Sequence, residues 1–291
     1  MRAFLCVTAC LVFPGAGALR AQDSSSSATP PMARVTAGVT SGALRFADGR
    51  MQEGVSAVLR YHLTSSISLA ATPALARVSV PGSLGGASAS GLTDLPVEIA
   101  LDHELAVAAS PTVGVGFAVS LPTGSTSTGF GSGALGYSID AGIGATPVER
   151  LSLHAGAGRP LSDFTTQSAL GGSGSTWGEA EASYDITDRV SASAGFDGDL
   201  SSRDSLGPAR AIAAGLTLGV GGPLSVVLNG AHGVSGAAAR WTFSVGFGTD
   251  FAGLESLGSS SPLQHFLKGL GGQSYRGGYA SAYHGSGRAR P

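Results

Sequence analysis

Beyond its N-terminal segment this chain contains no apolar run approaching the roughly 18 to 20 residues of a membrane-spanning helix, yet apolar residues recur at every second position. In TVGVGFAVSLPTGS, residues 112–125, Val113, Val115, Phe117, Val119 and Leu121 share one face of an extended chain. Thr112, Gly114, Gly116, Ala118 and Ser120 share the other, and a Pro-Thr-Gly turn ends the run. A backbone with this period is a strand, and what its apolar face touches decides the architecture.

The alternation repeats along the chain. Leu95, Val97, Ile99, Leu101 and Leu105 oppose Pro96, Glu98, Ala100, Asp102 and Glu104. Tyr137, Ile139, Ala141 and Ile143 oppose Ser138, Asp140 and glycines, while Val190, Ala192, Ala194, Phe196 and Leu200 oppose Ser191, Ser193, Asp197 and Asp199. Trp241, Phe243, Val245, Phe247 and Phe251 oppose Arg240, Thr242, Ser244 and Asp250. Further segments at 54–63, 151–158 and 212–220, with weaker ones at 33–46, 67–80, 177–184 and 224–234, bring the expected count to twelve strands. Links between them alternate in length. Tight ones lie near 64–66, 108–111, 146–150, 185–189 and 221–223, and longer Gly/Ser-rich ones at 47–53, 81–94, 122–134, 160–175 and 201–208, with only the link near 235–238 shorter than this pattern asks.

A water-facing sheet would set Lys, Glu and Arg against its apolar face, but here the opposing face is mostly Gly, Ala and Ser. Charged residues are 12% of the chain against 43% hydrophobic, with 46 glycines, too little charge for a soluble surface of this size. Hydrocarbon offers no partner to a free backbone N–H or C=O, so a sheet that meets lipid must close on itself. The expected fold is all-β, a transmembrane antiparallel up-and-down barrel of about 12 strands, with short turns on the periplasmic rim and long loops outside. Tyr137 and Trp241 then fall near the external rim and Tyr61, Tyr184 and Phe251 near the periplasmic one, as interfacial girdles do. His103 alone among the histidines is expected on the lipid-facing parity, close to the periplasmic end.

The ends read differently. Residues 1–21 have a positive start at Arg2, an apolar core at 3–13, a Pro14-Gly15 break and small residues before Ala18 and Ala21, the pattern of a cleaved secretory signal. Its removal takes Cys6 and Cys10, which excludes thiol and disulfide chemistry, and leaves 15 basic residues against 19 acids, a net of −4, with no polybasic surface for nucleic acid. Residues 22–31 form a polar leader, the barrel occupies 32–251, and 252–291 is a low-complexity tail with a short amphipathic stretch at 262–270. Localisation in the cell outer membrane follows, with outer-membrane lipid, the barrel-assembly machinery and a small-molecule solute as partners.

Two stretches resemble a known family. GLTDLPVEIALDHEL at 91–105 is similar to the Gly-x-x-Asp-Leu strand start of the outer-membrane channel family assigned to the meta-pathway of phenol degradation, and VGVGFAVSLPTG at 113–124 resembles the glycine-alternating strand that follows it there. The resemblance implies a transport-type barrel with aromatic or other hydrophobic small molecules as cargo. Residues 244–251 partly resemble a closing-strand assembly signal, although the chain continues beyond them for the 40 residues of the tail.

Parity assigns the residues of the interior. Glu98, Asp102, Glu104, Asp140, Asp197, Asp199 and Asp250 point inward with His154, Arg60 and Arg240, so an open lumen would prefer cations or neutral solutes. Inward Gly114, Gly116, Gly142, Gly144, Gly156, Gly158, Gly215 and Gly219 leave room for a passage, or else relieve curvature as the sheet closes. No G-x-S-x-G elbow, H-E-x-x-H pair or phosphate-binding loop occurs, and GGSGSTWG at 171–178 lacks the lysine such a loop needs. No catalytic, cofactor or metal site is therefore expected. The favoured reading is a passive channel or transporter for small molecules. A structural or adhesive barrel with binding loops, and an outer-membrane lipid hydrolase, stay open.

Overall fold

Among the described residues, fourteen strand segments build the wall: β1 Val35–Arg45, β2 Met51–His62, β3 Ile67–Ala71, β4 Ala74–Val80, β5 Ala87–Leu92, β6 Leu95–Glu104, β7 Thr112–Leu121, β8 Gly136–Val148, β9 Leu151–Pro160, β10 Trp177–Thr187, β11 Val190–Asp199, β12 Arg210–Gly221, β13 Leu224–Gly233 and β14 Trp241–Gly248. The computed structural model describes residues 35–107, 111–127, 130–161, 176–201, 208–235 and 238–249. The expected signal, leader and tail, together with Asp250 and Phe251, lie outside them. Among the described residues no helix is long and apolar enough to cross a membrane, which says nothing against a barrel.

Each segment pairs antiparallel with its neighbours, and β1 joins both β2 and β14, so the sheet closes. β3 and β4 are one strand interrupted at Thr72-Pro73, and β5 and β6 are one strand interrupted at Thr93-Asp94. Counted this way the wall is the closed barrel of twelve antiparallel strands that the alternation implied. The interruption is a bulge: from the pair Ala71↔Val97 to the pair Leu75↔Leu92, four steps on one strand match five on the other. Its effect is to turn Thr93 and Asp94 both inward, where they are buried. The expected loop at 81–94 is accordingly shorter, because 87–92 continues the wall as β5.

Two rims follow from the links. The turn rim carries two-residue turns at 149–150, 188–189 and 222–223, and Arg150 takes the φ of 69° that such tight hairpins require. The turn rim also carries the links 63–66 and 105–111, and the loop rim carries 46–50, 81–86, 122–135, 161–176, 200–209 and 234–240, of which 122–135, 161–176 and 200–209 are longer than any link on the turn rim.

The burial pattern is that of a water-soluble protein turned outward. Val39, Leu59, Leu101, Val115, Ile143, Leu153, Ile212, Phe243 and Phe247 are exposed on the outer face, while Thr40, Gln52, Ser56, Arg60, Asn229 and Ser244 are buried inside. A continuous apolar belt of this size is a lipid-facing surface rather than a solvated one. Tyr137 and Trp241 sit outward at the loop rim, Tyr61 and Tyr184 at the turn rim, and Tyr137 stacks on Phe117 with ring centroids 6.3 Å apart. His103 lies on the outer face near the turn rim as expected, but it is not alone there: His232 is also exposed on the outer face, opposite Trp241 near the loop rim.

Candidate functional site in the barrel interior

The inward side chains divide into two layers. Nearer the loop rim, Leu44 of β1, Ala76 and Val78 of β4, Ala211 of β12, Ala231 of β13 and Phe46, Phe130, Ala209, Ala238 and Ala239 of the links meet in one buried apolar cluster. Phe130 is fully buried in it although it belongs to a loop.

The two motifs on which the family resemblance rests hold that loop in place. Asp94, turned inward by the bulge, accepts the Gly124 N–H at Oδ1 (3.0 Å) and the Ser132 N–H at Oδ2 (2.7 Å). The Thr123 hydroxyl donates to the Thr93 carbonyl (3.1 Å), and the Phe130 N–H donates to the Ser125 carbonyl (2.9 Å). Gly124 and Gly131 let the two arms of the loop touch backbone to backbone, since a Cβ on Gly124 would lie 2.4 Å from the Phe130 carbonyl oxygen and one on Gly131 would overlap the Gly124 carbonyl. One carboxylate bonded to two N–H groups is a strong local fastening.

Toward the middle of the barrel the interior is acidic. Glu98 and Asp197 are buried, and Asp102 and Asp140 are half-buried on the inner parity, while at the loop-rim end of β11 Asp199 is fully buried with Oδ2 accepting the Ala209 N–H (3.0 Å). Arg60 is 1% exposed, and its Nη1 donates to the Ser68 hydroxyl (3.4 Å). His154 of β9 faces inward with Nδ1 3.7 Å from Oε1 of Glu179. Glu104 is exposed at the end of β6 on the turn rim.

Three expectations are corrected. Arg240 is exposed on the loop rim and does not line the interior, because the alternation of β14 begins only at Trp241. Glu179 and Glu181 of β10 do face inward, although they were not among the expected residues. Their strand reads WGEAEASY, and its outer face offers only Ala180, Ala182 and Tyr184, too weak an apolar stripe to fix parity from sequence. Glu179 sits directly across from Asp197, a like-charge pair that is unfavourable unless something positive is shared between them.

The third correction concerns the inward glycines. Several are seats for neighbouring side chains rather than empty space: a Cβ on Gly116 would meet the Asp140 carboxylate at 2.7 Å, one on Gly158 the Trp177 ring at 2.4 Å, and one on Gly156 Oε1 of Glu179 at 3.1 Å. Between His154, Glu179, Glu181 and Asp197 the remaining cavity is about 20 Å³, room for roughly one water. Gly158→Ala is therefore expected to destabilise the barrel by about 1–3 kcal/mol through overpacking, read as a lower urea midpoint for the detergent-folded protein, whereas an empty lumen would absorb the methyl without effect.

No protein-family model and no curated relative matches the chain. Among solved structures it is similar to the COG4313 outer membrane channel from Pseudomonas putida F1, with a TM-score of 0.58 and 13% identity over 78% of this chain and 99% of that one. Looser likenesses are to the KdgM porin in complex with disordered oligogalacturonate (TM-score 0.48, 9% identity, 72% and 97% of the two chains) and to outer membrane phospholipase A from Escherichia coli (0.41, 8%, 74% and 91%). At these identities the likeness is one of fold, and the fold is that of an outer-membrane β-barrel.

Proposed function

We propose that this chain is an outer-membrane channel for small solutes, cation-preferring within its lumen and stoppered at its external mouth by the 122–135 loop. The observation that carries the reading is the composition of the inner wall. Among the described residues, inward Glu98, Asp102, Asp140, Glu179, Glu181, Asp197 and Asp199 outnumber Arg60 and Arg50, and Arg50, which lies over the buried Phe46 ring at the loop rim, is paired with Asp48. Charge of one sign confined within a low-dielectric wall raises the local concentration of counter-ions. The buried apolar cluster around Phe46 and Phe130, uncovered when the loop is released, suits aromatic or other hydrophobic molecules, the cargo that the family resemblance implies. We read the protein as a transporter and not an enzyme, carried across the inner membrane by a signal at 1–21 and inserted by the barrel-assembly machinery. The lumen residues act by charge, and no cofactor enters the proposal.

Reversal potentials in planar bilayers under a KCl gradient test it. A preference for K⁺ over Cl⁻ of several-fold is expected, falling toward unity in Glu179→Gln/Asp197→Asn, because a neutral amide keeps the volume and removes the field. Anion preference in the wild type, or silence of both the wild type and a variant with the loop unfastened, rules the reading out.

A further inference from the structure

At the seam between β1 and β14 the outward side chains change character on approaching the loop rim. Phe243, Val245 and Phe247 of β14 belong to the apolar belt, but Arg45 ends β1 and pairs across the seam with Trp241. The row continues through His232 of β13, opposite Trp241. Arg240 precedes Trp241, and its N–H donates to the Arg45 carbonyl (2.7 Å), which holds the two exposed arginines on one short stretch of rim. Between them lies a cleft of about 320 Å³ lined by Arg45, Phe46, Ala47, Gly49, Arg240 and Trp241, with no carboxylate in its wall. The nearby Asp48 is engaged by Arg50. Elsewhere on this rim the outward Arg77 has Glu53 directly across from it, and the outward Arg159 and Arg210 stand singly opposite Ile139 and Gly198, whereas at the seam two exposed arginines line one cleft.

The geometry points to a binding site for the phosphate of an anionic glycolipid of the outer leaflet, and we propose that lipid as the occupant of the cleft. The proposal rests on the reading that the loop rim faces outward. Two guanidinium groups at one place repel each other unless an anion bridges them, and the planar fork of arginine matches phosphate oxygens two at a time. Trp241 sits where an indole favours the boundary between headgroup and hydrocarbon. Below it Phe243 and Ile212 present the surface on which the acyl chains of the same lipid would lie. An arginine on the lipid face costs little at this depth compared with the bilayer midplane.

The chain has two tryptophans, and Trp177 faces the interior, so full-length protein carrying Trp177→Phe reports from Trp241 alone. Its emission, followed in detergent micelles, is titrated with bisphosphorylated lipid A, with the same lipid after removal of its phosphates, and with inorganic phosphate. A saturable change with lipid A is expected, weakened roughly tenfold or more by dephosphorylation and by Arg45→Gln/Arg240→Gln, since each charge-assisted bond is individually strong. Equal binding of the dephosphorylated lipid overturns the proposal without need of any variant, as does equal binding by a double variant that keeps its heat-modifiable mobility. If inorganic phosphate reproduces the change, the cleft is a free-anion site and the lipid assignment falls. Failure of the wild type to fold in detergent would instead strike the barrel reading on which this one stands.

Discussion

Asp94→Ala is expected to raise the open fraction of the channel by two orders of magnitude or more. The bulge between β5 and β6 aims this carboxylate at the base of the 122–135 loop, where it accepts two backbone N–H groups. Hydrogen bonds to a charged group are worth about 1.5–3 kcal/mol each, so the fastening contributes roughly 3–6 kcal/mol. Burial of Phe130, about 1.5–3 kcal/mol for a large apolar side chain, remains to hold the loop in the variant but is the smaller share. Losing the larger share shifts a closed–open equilibrium by about tenfold per 1.4 kcal/mol. Asp94→Asn, which keeps one acceptor oxygen, should fall between. Single-channel recording in planar bilayers reads the change directly. If Asp94→Ala and Phe130→Ala both leave the current as it was, the loop is not the stopper.

Ile143→Arg and Val148→Arg, placed on the same outer face of β8, are expected to differ in their effect on stability by about 2–3 kcal/mol. The two side chains are similarly exposed, at 49% and 58%. On a water-facing surface both substitutions would fall within about 0.5 kcal/mol of neutral. In a bilayer, depth matters. Ile143 lies well within the strand and Val148 at its end on the turn rim, so the first arginine meets hydrocarbon, at a cost of about 2–4 kcal/mol, and the second meets headgroups at about 0–1. Equilibrium unfolding by urea in lipid vesicles measures both. Equal and negligible effects would mean that the exposed belt of Leu59, Leu101, Ile143 and Phe243 is not covered by lipid.

How much of this was legible in advance depended on whether the signal was local. The parity of β7 or β11 is written in ten successive residues, because a strand turns its side chains to opposite faces without help from the rest of the chain. Where the apolar stripe thinned to alanine, as in β10, the parity of Glu179 and Glu181 went unread. Where the strand had not yet begun, parity misled, as at Arg240. The motifs at 91–105 and 113–124 were visible as motifs. Their contact through Asp94 was not, because it depends on one extra residue in a strand whose partner residues lie 17 to 26 positions away.

From its own residues the chain declared twelve strands, their inward and outward faces, and the kind of solvent each face requires, since alternation and the demands of hydrogen bonding in hydrocarbon are properties of single strands. Tertiary structure alone decided what fills the interior. Leu44, Val78, Phe130 and Ala211 become neighbours only when the sheet has closed, and whether a glycine is a void or a seat depends on a side chain from the next strand, as Trp177 over Gly158 demonstrates.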